Sequence, residues 1–193
     1  MKAAPSDLDS LPRDHTIVLV GLMGAGKTSV GRRLALALDL PFRDSDEEVE
    51  RAAGRTVAEI FADLGEQAFR DGERRVIARL LDEPPHVLAT GGGAFMNPDT
   101  RRLIAQKAIS VWLKADIDVL LRRVGRKTDR PLLRNADPRG VLQDLAAQRH
   151  PTYGLADITV DSVESPHSAT VQAIIDALRE RQRQTSGRGP AKP

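Results

Sequence analysis

The sequence predicts an α/β fold, a parallel sheet flanked by helices, on three observations. Short apolar runs alternate with stretches of helical period along the 193-residue chain. The first such run, His15 to Val20, leads into Gly21-Leu22-Met23-Gly24-Ala25-Gly26-Lys27-Thr28, the pattern G-x-x-x-x-G-K-[ST] set between a strand and a helix. Asp44-Ser45-Asp46 and Gly91-Gly92-Gly93 likewise follow expected strands. Parallel strands joined by right-handed crossovers bring all three stretches to one edge of the sheet, where ligands of such folds bind.

Each element has its own local reason. Residues 1–13 are polar and contain prolines, and are expected to form a flexible tail. His15–Val20 is an apolar strand. Thr28–Leu38 is a helix with Val30, Leu34 and Leu38 on one face, and Pro41 breaks the chain after it. Phe42 and Arg43 lead into a short second strand that ends near Asp44–Asp46. Residues 46–82 are helical, with Thr56 and Glu59 forming a capping box, a break at Gly65 and a stop at Pro84-Pro85. HVLAT (86–90) is the third strand, and Pro98 opens a helix to Gln106. AISVWL (108–113) is the fourth strand, and Asp116 caps a helix that runs to Val124. Residues 125–137 have no periodicity and are rich in Arg, Asp and Pro, as in a mobile loop. A helix over 138–149, a fifth strand over 156–160 and a last helix from Ser168 to Arg181 complete the chain. No internal repeat is found. A single domain over 14–182 is expected, with a second flexible tail over 183–193.

Composition excludes several function classes. Hydrophobic residues at 40% and charged residues at 29% suit a soluble globular chain. A net charge of +2 argues against a nucleic-acid partner. The absence of cysteine rules out disulfides, thiolate catalysis and cysteine zinc sites. His15, His86, His150 and His167 are scattered without metal-ligand spacing. No apolar run reaches membrane-spanning length, and the segment before His15 lacks a hydrophobic signal core, so a cytoplasmic protein is expected.

The chemistry follows from residue types. Gly21, Gly24 and Gly26 permit backbone angles that turn successive N–H groups into one concavity at a helix N-terminus, a site for phosphate. Lys27 adds a mobile positive charge, and Thr28 a hydroxyl for Mg²⁺. Phosphoryl transfer further needs a carboxylate near the metal and a group that accepts the hydroxyl proton. Asp44 and Asp46 supply two carboxylates at a strand end; equally, acids there cap the following helix, and spacing does not choose between these readings. The glycine triplet lets a substrate approach bare backbone. Arg70 stands beside Phe69 with Glu73 one turn on, Arg130 lies in the aperiodic loop, and Arg149 precedes His150-Pro151. No conventional second nucleotide motif is present, since the third strand ends in Thr90 and glycines.

Taken together, these segments resemble the shikimate kinase family over about residues 15–180. The phosphate loop continues to Gly31, followed by Arg33-Leu34-Ala35; D-x-D is met by Asp44-Ser45-Asp46. G-E-x-x-F-R-x-x-E is met by Gly65 to Glu73, the glycine motif by Thr90 to Gly93, R-P-L-L by Arg130 to Leu133, and R-x-P-x-Y by Arg149 to Tyr153. The resemblance implies a three-layer α/β/α sandwich with a five-stranded parallel sheet, like the nucleoside monophosphate kinases, with a lid at about 125–137 and a substrate-binding helical region at about 46–75. It implies transfer of the γ-phosphoryl group of ATP, with Mg²⁺, to the 3-hydroxyl of shikimate, in the route to chorismate and aromatic amino acids. Asp46 would be the base, and Lys27 and Arg130 would act on the phosphates. Gly24, Ala25, Gly26, Lys27, Thr28, Ser29, Arg123, Arg130 and Pro166 would bind nucleotide, and Thr28 with Asp44 would hold the metal. Arg70 and Arg149 would bind the substrate carboxylate, Gly91, Gly92 and Gly93 its ring hydroxyls, with Phe61 and Phe69 as an apolar wall. The family is usually monomeric.

Three other readings share parts of this pattern. Gluconate and adenylate kinases share the phosphate loop and fold, but Asp46, Arg70, Gly91–Gly93 and Arg149 favour shikimate. A catalytically silent module would have lost Lys27, Asp46 or Arg130, and all are present. Nucleic-acid binding would rest on the arginine-rich tail alone.

Overall fold

A computed structural model of the chain describes residues 14–125, 137–163 and 167–186. In order these form β1 (Thr16–Val20), α1 (Lys27–Leu38), β2 (Phe42–Asp44), α2 (Ser45–Ala53), α3 (Val57–Leu80) and β3 (Val87–Ala89). There follow a 3-10 turn (Ala94–Met96), α4 (Pro98–Lys107), β4 (Ala108–Lys114), α5 (Ile117–Val124), α6 (Pro138–Tyr153), β5 (Ile158–Asp161) and α7 (His167–Ser186). The strands pair in the order β2-β3-β1-β4-β5, and every pairing is parallel. The expected fold class is therefore the observed one.

β1 sits at the centre because it is apolar on both faces. Ile17 to Val20 are fully buried, and since successive residues point to opposite faces, both faces are covered. β5, at an edge, alternates instead: Ile158 and Val160 are buried while Thr159 and Asp161 are exposed. α1 packs closely on β2, for a Cβ on Gly31 would lie 2.7 Å from Phe42 Cε2. The capping box forms: Glu59 Oε2 accepts the Thr56 N–H at 2.7 Å, and Thr56 Oγ1 accepts the Glu59 N–H at 3.2 Å. Gly65 breaks α3 with φ 81° and ψ 171°.

The structure adds one short turn and shifts several boundaries, three of them for a tertiary reason. The 3-10 turn after the glycine triplet carries no sequence periodicity. α6 runs past Arg149 and through Pro151 to Tyr153, because the Tyr153 ring, fully buried against Phe95 and Trp112, offsets the proline's cost. β5 begins at Ile158 rather than 156, because the Asp157 carboxylate accepts the Ser110 N–H at 2.9 Å and replaces a rung of the ladder. α7 continues to Ser186, so residues 183–186 of the expected tail are helical; Arg181 pairs with Asp157 at 2.8 Å and Gln184 donates to Glu180 at 3.0 Å. Among the described residues no helix is long and apolar enough to cross a membrane.

Candidate active site

The phosphate loop is built by steric exclusion. Gly21, Gly24 and Gly26 take φ of 139°, 82° and 97°, and a Cβ on Gly21 would lie 2.6 Å from the Leu113 carbonyl oxygen. One on Gly24 would lie 2.7 Å from Val124 Cγ2. Gly26 then opens α1, whose first turn carries Lys27, Thr28 and Ser29. Lys27 is buried, and its Nζ donates to the carbonyls of Gly21 at 2.7 Å and Leu22 at 3.0 Å.

Sheet order brings the end of β2 beside that first turn. Thr28 Oγ1 donates to Asp44 Oδ2 at 2.9 Å. The other oxygen, Asp44 Oδ1, accepts the Asp46 N–H at 3.1 Å and caps α2. The capping reading thus holds for Asp44, and it leaves a carboxylate oxygen facing Thr28. Among the described residues no group of three or more His, Asp or Glu gathers as a metal cage. A hydroxyl and one carboxylate beside a phosphate loop do fit Mg²⁺, which takes hard oxygens and fills its shell with phosphates and water.

Arg123 reaches the underside of the loop. It donates to the carbonyl of Ala25 at 3.2 Å, to Ser162 Oγ at 2.9 Å and to the Val163 carbonyl at 2.8 Å. Ser162 Oγ itself donates to Ala25 O at 2.8 Å, which ties the residues after β5 to the loop. Sequence reasoning missed Ser162 and His167; a Cβ on Gly26 would sit 3.5 Å from Arg123 Nη1 and 3.9 Å from His167 Cε1. Arg130 and Pro166 lie outside the described residues, as does most of the expected lid.

The third group gathers where α2, α3 and α6 meet the glycine triplet. Thr90 Oγ1 donates to Leu19 O at 2.9 Å, so β3 is tied to β1 just before the glycines. The Gly91 N–H donates to the buried Ser45 Oγ at 3.0 Å, a contact invisible in the sequence. A Cβ on Gly91 would lie 2.4 Å from Glu73 Oε1 and 2.9 Å from Asp46 Oδ1. Both oxygens are buried and accept no hydrogen bond from the described residues. Burial, and then the nearby Asp44 charge, push the Asp46 carboxyl above its usual range, against the pull of Lys27 and Arg70. Burial likewise pushes Glu73 up, although Arg70 pairs with it at 2.8 Å.

Arg70 is fixed from several sides. Glu73 and Glu66 hold its guanidinium, which lies 5.1 Å from the centre of the Phe69 ring, and a Cβ on Gly93 would meet its terminal atoms at 2.6 Å. Phe69 is buried and Phe61 half-exposed, with ring centres 4.8 Å apart. Arg149 Nη1 donates to the Gly92 carbonyl at 3.1 Å, and Tyr153 Oη donates to the same oxygen. All acceptor-side residues expected from sequence are thus brought together, and Glu73, Ser45 and Tyr153 join them.

A model of the shikimate kinase family matches residues 23–179. The chain is 66% identical over 168 residues to a shikimate kinase of Caulobacter vibrioides, covering 87% of this chain and 84% of that protein. It is 55% identical over 180 residues to one of Bradyrhizobium diazoefficiens, covering 93% and 87%. Among solved structures, shikimate kinase from Acinetobacter baumannii in complex with shikimate superposes with a TM-score of 0.82 at 39% identity, covering 86% of this chain and 94% of that one.

Proposed function

The chain belongs to the shikimate kinase family, and from that premise we propose that it transfers the γ-phosphoryl group of ATP to the 3-hydroxyl of shikimate, with Asp46 as the base. One observation carries the assignment of Asp46. Its Oδ1 is buried, with no donor among the described residues, at the seam between phosphate loop and glycine triplet, within the fields of Lys27 and Arg70.

The reaction is a displacement at phosphorus. The shikimate 3-oxygen forms a bond to the γ-phosphorus, the bond to the β–γ bridging oxygen breaks, and ADP leaves. The hydroxyl proton goes to the Asp46 carboxylate, whose raised affinity for protons suits that task. Lys27 turns its ammonium from the loop carbonyls to the outer phosphates, which the N–H groups of Gly24 to Ser29 cradle. Thr28 and Asp44 would hold Mg²⁺, which when bound neutralises phosphate charge. Arg123 would line the nucleotide base site; Pro166 and Arg130, outside the described residues, would by family resemblance serve the nucleotide base and the phosphates. Arg70 and Arg149 take the shikimate carboxylate in the bidentate geometry that lysine lacks. Gly91 to Gly93 accommodate the ring hydroxyls, and Phe61 with Phe69 forms the apolar wall. The protein acts as a monomer in the cytoplasm, without nucleic acid or membrane; a net charge of only +2 supports the absence of a nucleic-acid partner.

Purified protein given Mg-ATP with shikimate, gluconate or AMP tests the acceptor. ADP release is expected with shikimate alone. No response to shikimate, with ATP still bound, would sink the proposal.

The geometry also separates the glycines. Gly91→Ala drives a methyl group between the Asp46 and Glu73 carboxylates, so a loss of shikimate turnover of tenfold or more is expected, on the order of a misplaced catalytic group. Steady-state assay against the wild type checks it; near-normal turnover would show that this contact is not needed.

A further inference from the structure

We propose that Tyr153 is a positioning residue for the acceptor site: its hydroxyl, with Arg149, holds the Gly92 carbonyl and so sets the glycine triplet against the phosphate loop. The inference rests on the acceptor reading above and assigns a role to the last residue of the R-x-P-x-Y motif.

Three observations carry it. Arg149 and Tyr153 stand four residues apart on α6, so they project from the same side one turn apart and converge on a single oxygen. That oxygen belongs to the middle glycine, which has neighbours on both sides: a Cβ there would be in ordinary contact, at 3.6 Å, with each of Arg149 Nη1, the Gly21 carbonyl oxygen and the Met23 nitrogen. One backbone unit is therefore in contact with both the nucleotide side and the acceptor side. The Tyr153 ring is fully buried, with ring centres 6.5 Å from Phe95 and 5.9 Å from Trp112, and has no room to re-aim its hydroxyl. A carbonyl only accepts, so the clamp needs a donor. Burial raises the phenol to about 12, which keeps that proton in place throughout the neutral range.

With the Gly92 carbonyl held from two donors, Arg149 needs only one N–H for it and keeps its others for the substrate carboxylate. Without the phenol, Arg149 bears the whole restraint, and the triplet gains freedom against Gly21 and Met23.

Tyr153→Phe keeps the ring and removes the donor. The expected result is a three- to tenfold rise in shikimate KM, the size of one lost hydrogen bond, with the MgATP KM unchanged. In the double variant with Arg149→Lys, the two penalties should combine to less than their product, because both groups act on one oxygen. A merely structural tyrosine would lower Tm and leave the shikimate KM as it was; that result, or penalties that multiply, overturns the proposal. If Arg149→Lys alone raises the shikimate KM while Tyr153→Phe does not, the acceptor reading survives and this inference falls. If the wild type does not phosphorylate shikimate, both fall.

Discussion

Asp46→Asn is expected to lower kcat by about two to four orders of magnitude while the MgATP KM stays near the wild-type value. Asparagine keeps the size and the hydrogen-bonding backbone of the residue, so the cap from Asp44 Oδ1 to the residue-46 N–H at 3.1 Å remains. It cannot accept the proton released when the 3-oxygen bonds to phosphorus. The same substitution is expected to raise Tm at neutral pH. The folded protein holds the Asp46 proton more tightly than the unfolded chain does, because burial and Asp44 disfavour the ionised form. That ionised form therefore costs stability at neutral pH, the cost being absent below the unfolded carboxylate's range and growing as pH rises through the folded one. A variant that is slower and more heat-resistant would carry both signatures of a strained catalytic group. Steady-state kinetics with a thermal melt measures both, and near-normal kcat would remove Asp46 from the role of base.

Arg149→Ala is expected to raise the shikimate KM about a hundredfold, with a smaller effect on kcat. A charge-assisted, two-pronged contact to a carboxylate in a partly desolvated cleft is worth roughly 2–5 kcal/mol when one partner is truncated. Arg149 lies where such a contact is productive, since it touches Gly92 and its charge acts on Glu73. Lysine at this position should restore only part of the loss, because a point charge lacks the planar fork. Titration of shikimate at saturating MgATP decides the matter: an unchanged KM would leave Arg70 as the sole carboxylate ligand.

The parts of this site that were legible in the sequence are those whose geometry is local. Gly24 and Gly26 announce a loop with positive φ ahead of a helix, and Thr56 with Glu59 announces a helix start. Glu73 was legible as the partner of Arg70 because three residues along a helix is a contact distance. Asp44 was legible as a residue but not as a choice between cap and metal ligand; it caps α2 with one oxygen and meets Thr28 with the other. Contacts such as Ser45 to Gly91 and Tyr153 to Gly92 span 46 and 61 residues of chain, and no spacing rule reaches that far.

Fold class, phosphate loop and the residue types available for phosphoryl transfer are properties of the local chain, because dihedral limits, caps and apolar periodicity act within a few residues. How those residues meet depends on long-range packing. The sheet order β2-β3-β1-β4-β5 sets Asp44 beside Thr28, and close packing carries α6 through Pro151 so that Tyr153 reaches Gly92. Long-range packing also sets the proton affinity of Asp46, which depends on water excluded and charges gathered by segments far apart in the chain.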